Sequence, residues 1–149
     1  MGDKEFRAIF NLLPVPDFEA TAFTIPPRLQ GATVALVTTA GLHLPEDAGW
    51  ARRDQSFRIL PSGRRDLRLG HSSSNFDQSG LLMDLNVVYP ADRLQEMQAE
   101  GAIGAVAPRH LSFMGSQDET MSTIRLDTGP AAAKLLLDDG VEVVLLTPI

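Results

Sequence analysis

Two short apolar runs at opposite ends of the chain constrain its fold more than any other feature: Thr33-Val-Ala-Leu-Val-Thr38 and Val141-Glu-Val-Val-Leu-Leu-Thr147. Each is too short for a globular helix, and each ends in a threonine followed by turn residues, Thr39-Ala40-Gly41 after the first and Pro148 after the second. Continuous rather than alternating hydrophobicity is the mark of a strand buried on both faces, the kind found in parallel sheets covered by helices. The segments between them agree. Pro90 to Glu100 is a helix carrying Leu94 and Met97 and stopped by Gly101, and Ile103-Gly-Ala-Val-Ala107 is a short apolar strand. Thr128-Gly-Pro130 opens a second helix with Ala131, Ala132, Leu135 and Leu136 on one face and Gly140 as its stop. Asp84 to Tyr89 is a weaker strand or turn candidate. This alternation predicts an α/β domain of two or three layers with a mainly parallel sheet, flavodoxin- or Rossmann-like in outline.

The domain spans residues 33–149, preceded by an arm over residues 1–32. In the arm, Phe6, Ile9, Phe10 and Leu13 share one face of a short helix, and Pro14, Pro16, Pro26 and Pro27 then enforce an extended connector. At 149 residues the chain is long enough for one core without metal or disulfide support. It has no cysteine, so disulfides, thiolate metal sites and a cysteine nucleophile are absent from these residues. No apolar run approaches the ~20 residues of a membrane span, and the first residues lack a signal-peptide pattern, which predicts a cytoplasmic protein without membrane partners.

A net charge of −6 argues against nucleic-acid binding. The charge is uneven: Arg52, Arg53, Arg58, Arg64, Arg65 and Arg68, set against Asp54 and Asp66, give a local +4. Either these guanidiniums pair with acidic neighbours, or one or two hold an anionic substrate group, for which the planar fork is suited. Arg58 is the candidate clamp.

Ligands of open α/β sheets bind outside the carboxyl ends of the strands. Three such ends are chemically suggestive: Thr38-Thr39-Ala40-Gly41, Pro108-Arg109-His110 and Thr147-Pro148. Asp84-Leu85-Asn86 ahead of Tyr89-Pro90 is either a helix cap or a polar pair facing the cleft. The candidate substrate-binding residues are therefore Thr38, Thr39, Arg58, Asp84, Asn86 and Thr147, with His71 or His110 as proton donor. Phe113-Met114-Gly115 is core or cleft wall. The glycine-poor Thr39-Ala40-Gly41-Leu42 turn carries no dinucleotide fingerprint, and Ser72-Ser73-Ser74 lies outside any nucleophile elbow. His43, His71, His110, Asp77, Asp84 and Asn86 lack close metal-ligand spacing, so no metal is expected.

Several peptides taken together resemble a known family. They are Val34 to His43, Asp54 to Arg58, His71 with Asp77, Asp84 to Asn86 with Tyr89 to Leu94, Gly101 to Gly104, Ala107 to His110 with Ser112 to Gly115, and Leu145 to Pro148. In order and spacing they are similar to the selenoprotein B family, which contains the substrate-specific subunits of glycine, sarcosine and betaine reductases and the selenoprotein subunit of D-proline reductase. The resemblance implies a reductase in which a selenocysteine, or a cysteine in some relatives, attacks an activated substrate carbon and expels the amine. It also implies a dithiol electron donor such as thioredoxin and a partner reductase subunit, and the bare last strand adds the expectation of a homo-oligomer. In that family the redox residue follows the Leu-Thr-Pro-hydrophobic peptide, here Leu146-Thr147-Pro148-Ile149, so it is expected immediately after Ile149, with no cofactor in the chain itself. A chalcogen anion between a buried strand and a following helix is stabilised by backbone N–H groups.

The primary expectation is thus a reductase of the glycine/sarcosine/betaine or D-proline type, C-terminally incomplete and redox-inactive as written. One alternative is a noncatalytic dimeric binding or subunit-interface module that exposes its last strand. Another is a metal-dependent hydrolase using His71, His110 and Asp84. The first reading predicts a UGA codon after Ile149 with a family-like frame beyond it, and the nucleotide sequence past codon 149 decides the matter.

Overall fold

The computed structural model describes residues 24–71, 78–117 and 120–149, together with Lys4, Ala8 and Leu12. The expected N-terminal helix, most of its proline-rich connector, Ser72 to Ser74 and Asp77 lie outside the described residues.

The first apolar run forms β1 (Thr33–Thr38), the centre of the sheet. The last forms β7 (Val143–Thr147), parallel to β1 in a register from Val34 opposite Val143 to Thr38 opposite Thr147. On the other side of β1 lie β5 (Ala105–Val106) and β6 (Arg109–Phe113), both parallel to it. β3 (Phe57–Pro61) closes that side antiparallel to β6. A separate ribbon pairs β2 (Leu42–His43) with β4 (Arg68–Leu69). The sheet is mixed but mainly parallel, as the sequence predicts.

Helices cover both faces. Along β1, Val34 and Leu36 point one way and Ala35 the other, as strand alternation requires. Val34 and Leu36 pack with Leu81 of α1 (Ser79–Met83) and with Ala91 and Leu94 of α2 (Ala91–Ala99). Ala35 packs with Ala132 and Leu136 of α3 (Gly129–Asp138), which continues a π-helical turn at Ile124–Thr128 and has Pro130 near its start. A proline is harmless there because the first helical N–H groups have no intrahelical partner. Among the described residues no helix is long and apolar enough to cross a membrane.

Three features differ from the sequence expectation, and a fourth resolves an alternative it left open. The predicted strand at Ile103 to Ala107 shrinks to two residues, and the chain resumes as β6 after Pro108, so His110 lies inside a strand and not after its end. β3 and β6 carry arginine, histidine, serine and proline among their apolar residues, which breaks the continuous run that identifies β1. Of the strand and turn alternatives for Asp84 to Tyr89, the structure takes the turn, a 3-10 turn over Leu85–Val87. Finally, β7 is not buried on both faces: Val144 and Leu145 are about 40% exposed and Leu146 is 66% exposed, because among the described residues only β1 flanks this strand.

The break between β5 and β6 has a chemical repair. From Val34 to Val37 β1 advances three residues while its partner advances five, from Val106 to Leu111. The two extra residues, with Pro108 among them, draw the backbone away from β1. His110 fills the gap: its Nδ1 accepts the Leu36 amide N–H at 3.0 Å. The ring is fully buried and lies edge-on to Tyr89 with centroids 5.5 Å apart. Accepting through Nδ1 places the proton of the neutral ring on Nε2.

Burial pushes the His110 pKa down to about 4 from an ordinary 6.5, so the fold requires the neutral ring. The unfolded chain binds the proton more readily, and the stability held by this ring is whole above pH 6.5 and falls as the pH drops toward 4. The loss is on the order of 3 kcal/mol across that window. Chemical denaturation at pH 7 and pH 4.5 measures it. His110→Ala, which strands the Leu36 amide, is expected to cost roughly 1–3 kcal/mol at pH 7 and to flatten this part of the pH dependence.

Candidate functional site

The topology selects one end of the sheet. From β1 the chain passes over the α2 face to β5 and β6 on one side, then returns over the α3 face to β7 on the other. Connections leaving in opposite directions open a crevice at the carboxyl ends of β1 and β7. Thr38, Thr39, Thr147 and Ile149 meet there.

Three threonines tie these ends together. Thr39 N–H donates to the Thr147 carbonyl at 3.2 Å, and Thr38 Oγ1 donates to the same oxygen at 3.3 Å. Thr147 Oγ1 donates to the Val88 carbonyl at 2.9 Å, which ties the strand end to the turn ahead of α2. The Ile149 N–H donates to Thr39 Oγ1 at 2.7 Å, and that hydroxyl donates in turn to the Ile149 carbonyl at 3.4 Å. The backbone after β7 is therefore held by the side chain of Thr39, the residue that follows β1.

Beside this lock lies a pocket of about 380 Å³. Phe113, Met114, Met121 and Ile124 form its apolar wall, Thr39, Ser116 and Gln117 its polar side, and none of the lining side chains is ionisable. Gly115 makes the approach possible. A Cβ there would lie 2.6 Å from His71 Nε2, 3.0 Å from the Thr39 carbonyl and 3.1 Å from the Ile149 carbonyl. The missing side chain thus lets the imidazole and the two carbonyls converge on one point. Burial holds the His71 pKa below its ordinary value, which favours the neutral ring at pH 7.

The structure thus brings Thr38, Thr39, Thr147 and His71 to one strand end, and Gly115 and Gln117 join them. Sequence reasoning left Gly115 between core and cleft and did not single out Gln117, whose position depends on the chain path after β6. The other sequence candidates lie elsewhere. His110 is inside the sheet. Arg58 ion-pairs with Asp54 at 3.4 Å, donates to Ser56 Oγ at 2.7 Å and stacks 4.2 Å over the Trp50 ring. Asp84 Oδ1 accepts from the Asn86 N–H at 2.9 Å, and Asn86 Oδ1 accepts from the Asp92 N–H at 3.2 Å, capping the start of α2. This is the helix-cap alternative for the pair.

Arg64 and Arg65 are also paired, Arg64 with Glu46 and Asp66 and Arg65 with Asp92, so much of the basic segment is neutralised within the chain. Among the described residues no three His, Cys, Asp or Glu side chains gather where they could hold a metal, and the hydrolase alternative gains no support.

A strand-end pocket at a point where the winding reverses lies where open α/β domains as a class bind their ligands. More specifically, the chain belongs to the glycine/sarcosine/betaine reductase selenoprotein B family, whose model matches residues 2–149. It is 35% identical over 123 residues to the D-proline reductase subunit gamma of Acetoanaerobium sticklandii, covering 80% of this chain and 50% of that one. It is 29% identical over 146 residues to the glycine reductase complex component B subunit gamma of Carboxydothermus hydrogenoformans, covering 91% of this chain and 32% of that one. The chain therefore spans half or less of the length of these curated relatives. No solved structure matches it.

Gly115→Ala tests the convergence directly. The added methyl is expected to push the imidazole outward, so that the His71 pKa, followed by NMR titration of its ring protons, rises toward 6.5.

Proposed function

We propose that the chain forms the substrate-holding part of a reductase-type subunit, acting on a carbon–nitrogen bond of a small amino-acid-derived molecule. The observation that carries this reading is the Thr39 lock on the Ile149 peptide at the rim of the pocket. A group attached after Ile149 starts from a fixed position beside Gly115 and His71. Family membership supports placing a selenol or thiol there, and such a group supplies a soft nucleophile whose electrons a dithiol donor such as thioredoxin restores.

In this reading the chain's own residues prepare the reaction. Neutral His71 takes the proton of the nucleophile and returns it to the departing nitrogen, acting first as base and then as acid. Thr38 and Thr147 keep the two strand ends in register, Thr39 aims the following backbone, and Phe113 with Met114 excludes water from the reacting carbon. Partner reductase subunits fit this scheme, since both relatives are named as subunits.

The experiment is to extend the chain past Ile149 with its own downstream frame, carrying cysteine or selenocysteine at the next position. Dithiol-dependent release of amine from small amino acids and their derivatives is then assayed, with and without partner subunits. Turnover confined to the extended form, and reduced about tenfold or more by Thr39→Val, is expected; no turnover under any of these conditions rejects the reading.

A second reading, a noncatalytic interface module, is favoured by the exposed Val144, Leu145 and Leu146 on β7, whose outer edge has no partner strand among the described residues. It predicts a dimer in sedimentation equilibrium that Leu145→Lys dissociates. A monomer at high micromolar concentration rejects it.

A further inference from the structure

The two edges of the sheet are built differently. β3, at one edge, carries Arg58 and Pro61, residue types that keep an edge strand from pairing further. β7, at the other, is Val-Val-Leu-Leu-Thr, with neither charge nor proline, and its outer edge has no partner among the described residues. The Thr147 carbonyl accepts from the Thr39 N–H, so by strand alternation Leu145 and Thr147 address β1 while the backbone groups of Val144 and Leu146 point outward. Nothing in the sequence of this edge discourages a further strand.

The register divides the side chains of β7 between the two faces. Val144 and Leu146 stand beside Ala35 and Val37, on the face that α3 covers, and Leu145 stands beside Leu36, on the face of α1 and α2. Leu146 is 66% exposed against 41% for Leu145, so cover is scarcer on the α3 face. A continuing chain could reach the free edge by a hairpin or by a crossover. Thr39 holds both the N–H and the carbonyl of Ile149, which draws the chain toward β1 and away from the edge around which a hairpin would turn. A crossover remains, and its side is fixed by handedness. The step from β6 to β7 passes across β1 with α3 over one face, and a second right-handed step in the same direction passes over that same face. It is the face on which Leu146 is bare.

We propose that β7 seats the polypeptide that continues from Ile149: a helix packs on Val144 and Leu146 beside α3, and a strand then pairs in parallel with the free edge of β7. The curated relatives have length for such a segment, since this chain covers 50% and 32% of them. The inference shares with the proposed function only the premise of a continuing chain, and it stands or falls without regard to turnover.

The test compares the 149-residue chain with the chain extended by its own downstream frame. Hydrogen exchange of the outward Val144 and Leu146 amides, read by NMR at two protein concentrations, is expected to slow about tenfold or more on extension, with Leu145 as the internal reference. NOEs from residues beyond 149 are expected at the Val144 and Leu146 methyl groups. Unchanged exchange overturns the proposal. Protection already present in the 149-residue chain and growing with its concentration assigns the edge to a second copy and overturns it as well. NOEs from the new helix to the Leu145 methyls in place of those of Leu146 overturn the choice of face. A downstream frame that ends at once leaves no segment to seat, and that too overturns the proposal.

Discussion

The rest of the structure depends on the pairing of β1 along both of its edges. Its six residues contribute Val34 and Leu36 to one core and Ala35 to the other, so a slip of one residue would exchange the two faces and empty both cores. On the β7 side an unbroken five-residue register prevents that. On the other side the ladder is interrupted, and the Leu36 amide would be stranded in the interior without the His110 imidazole. A buried histidine near a proposed active site invites a catalytic role. Its protonation preference, its total burial and its acceptor bond to backbone instead assign it to holding the strand.

The pocket follows from the same geometry. Because the chain crosses from one face of the sheet to the other between its visits to the two sides of β1, the loops beyond β1 and β7 part there. Hydroxyls at the strand ends bind the parted segments to each other. Gly115 then allows two carbonyls and an imidazole to approach a single point, and Gln117 ties the segment after β6 to the Asp54 and Met114 carbonyls through its side-chain amide. Each step is local, yet together they produce a small cavity with a largely apolar wall at the strand ends.

Charge elsewhere is arranged to cancel. The arginine-rich stretch reads in the sequence as a basic patch, but Arg58, Arg64 and Arg65 each meet a carboxylate, and one of these partners, Asp92, lies 27 residues away. The Arg64 and Arg65 pairs are exposed enough to add little to stability, whereas Arg58 and Asp54 are largely buried together. Their effect is to remove cations that would otherwise be available to an anionic ligand.

The α/β class, the positions of β1, α2 and α3, and the strand ends on which Thr38, Thr39 and Thr147 stand were all legible in the sequence. These elements are specified by local periodicity, capping glycines and a helix-opening proline, signals that need no distant partner. The sequence alone also carried the family resemblance, through peptides whose order survives without knowledge of their contacts. Only the tertiary structure decided that His110 is a ladder repair, that Arg58 is occupied, that Asp84 and Asn86 cap a helix, and that Gly115 and Gln117 line the strand-end pocket. Each of those facts depends on which residues from remote segments are brought within hydrogen-bonding distance, and the pattern of one segment does not contain that information. The exposure of β7 belongs to the same group, because an apolar run encodes a strand's preference for burial while only the arrangement of its neighbours determines how far burial is achieved.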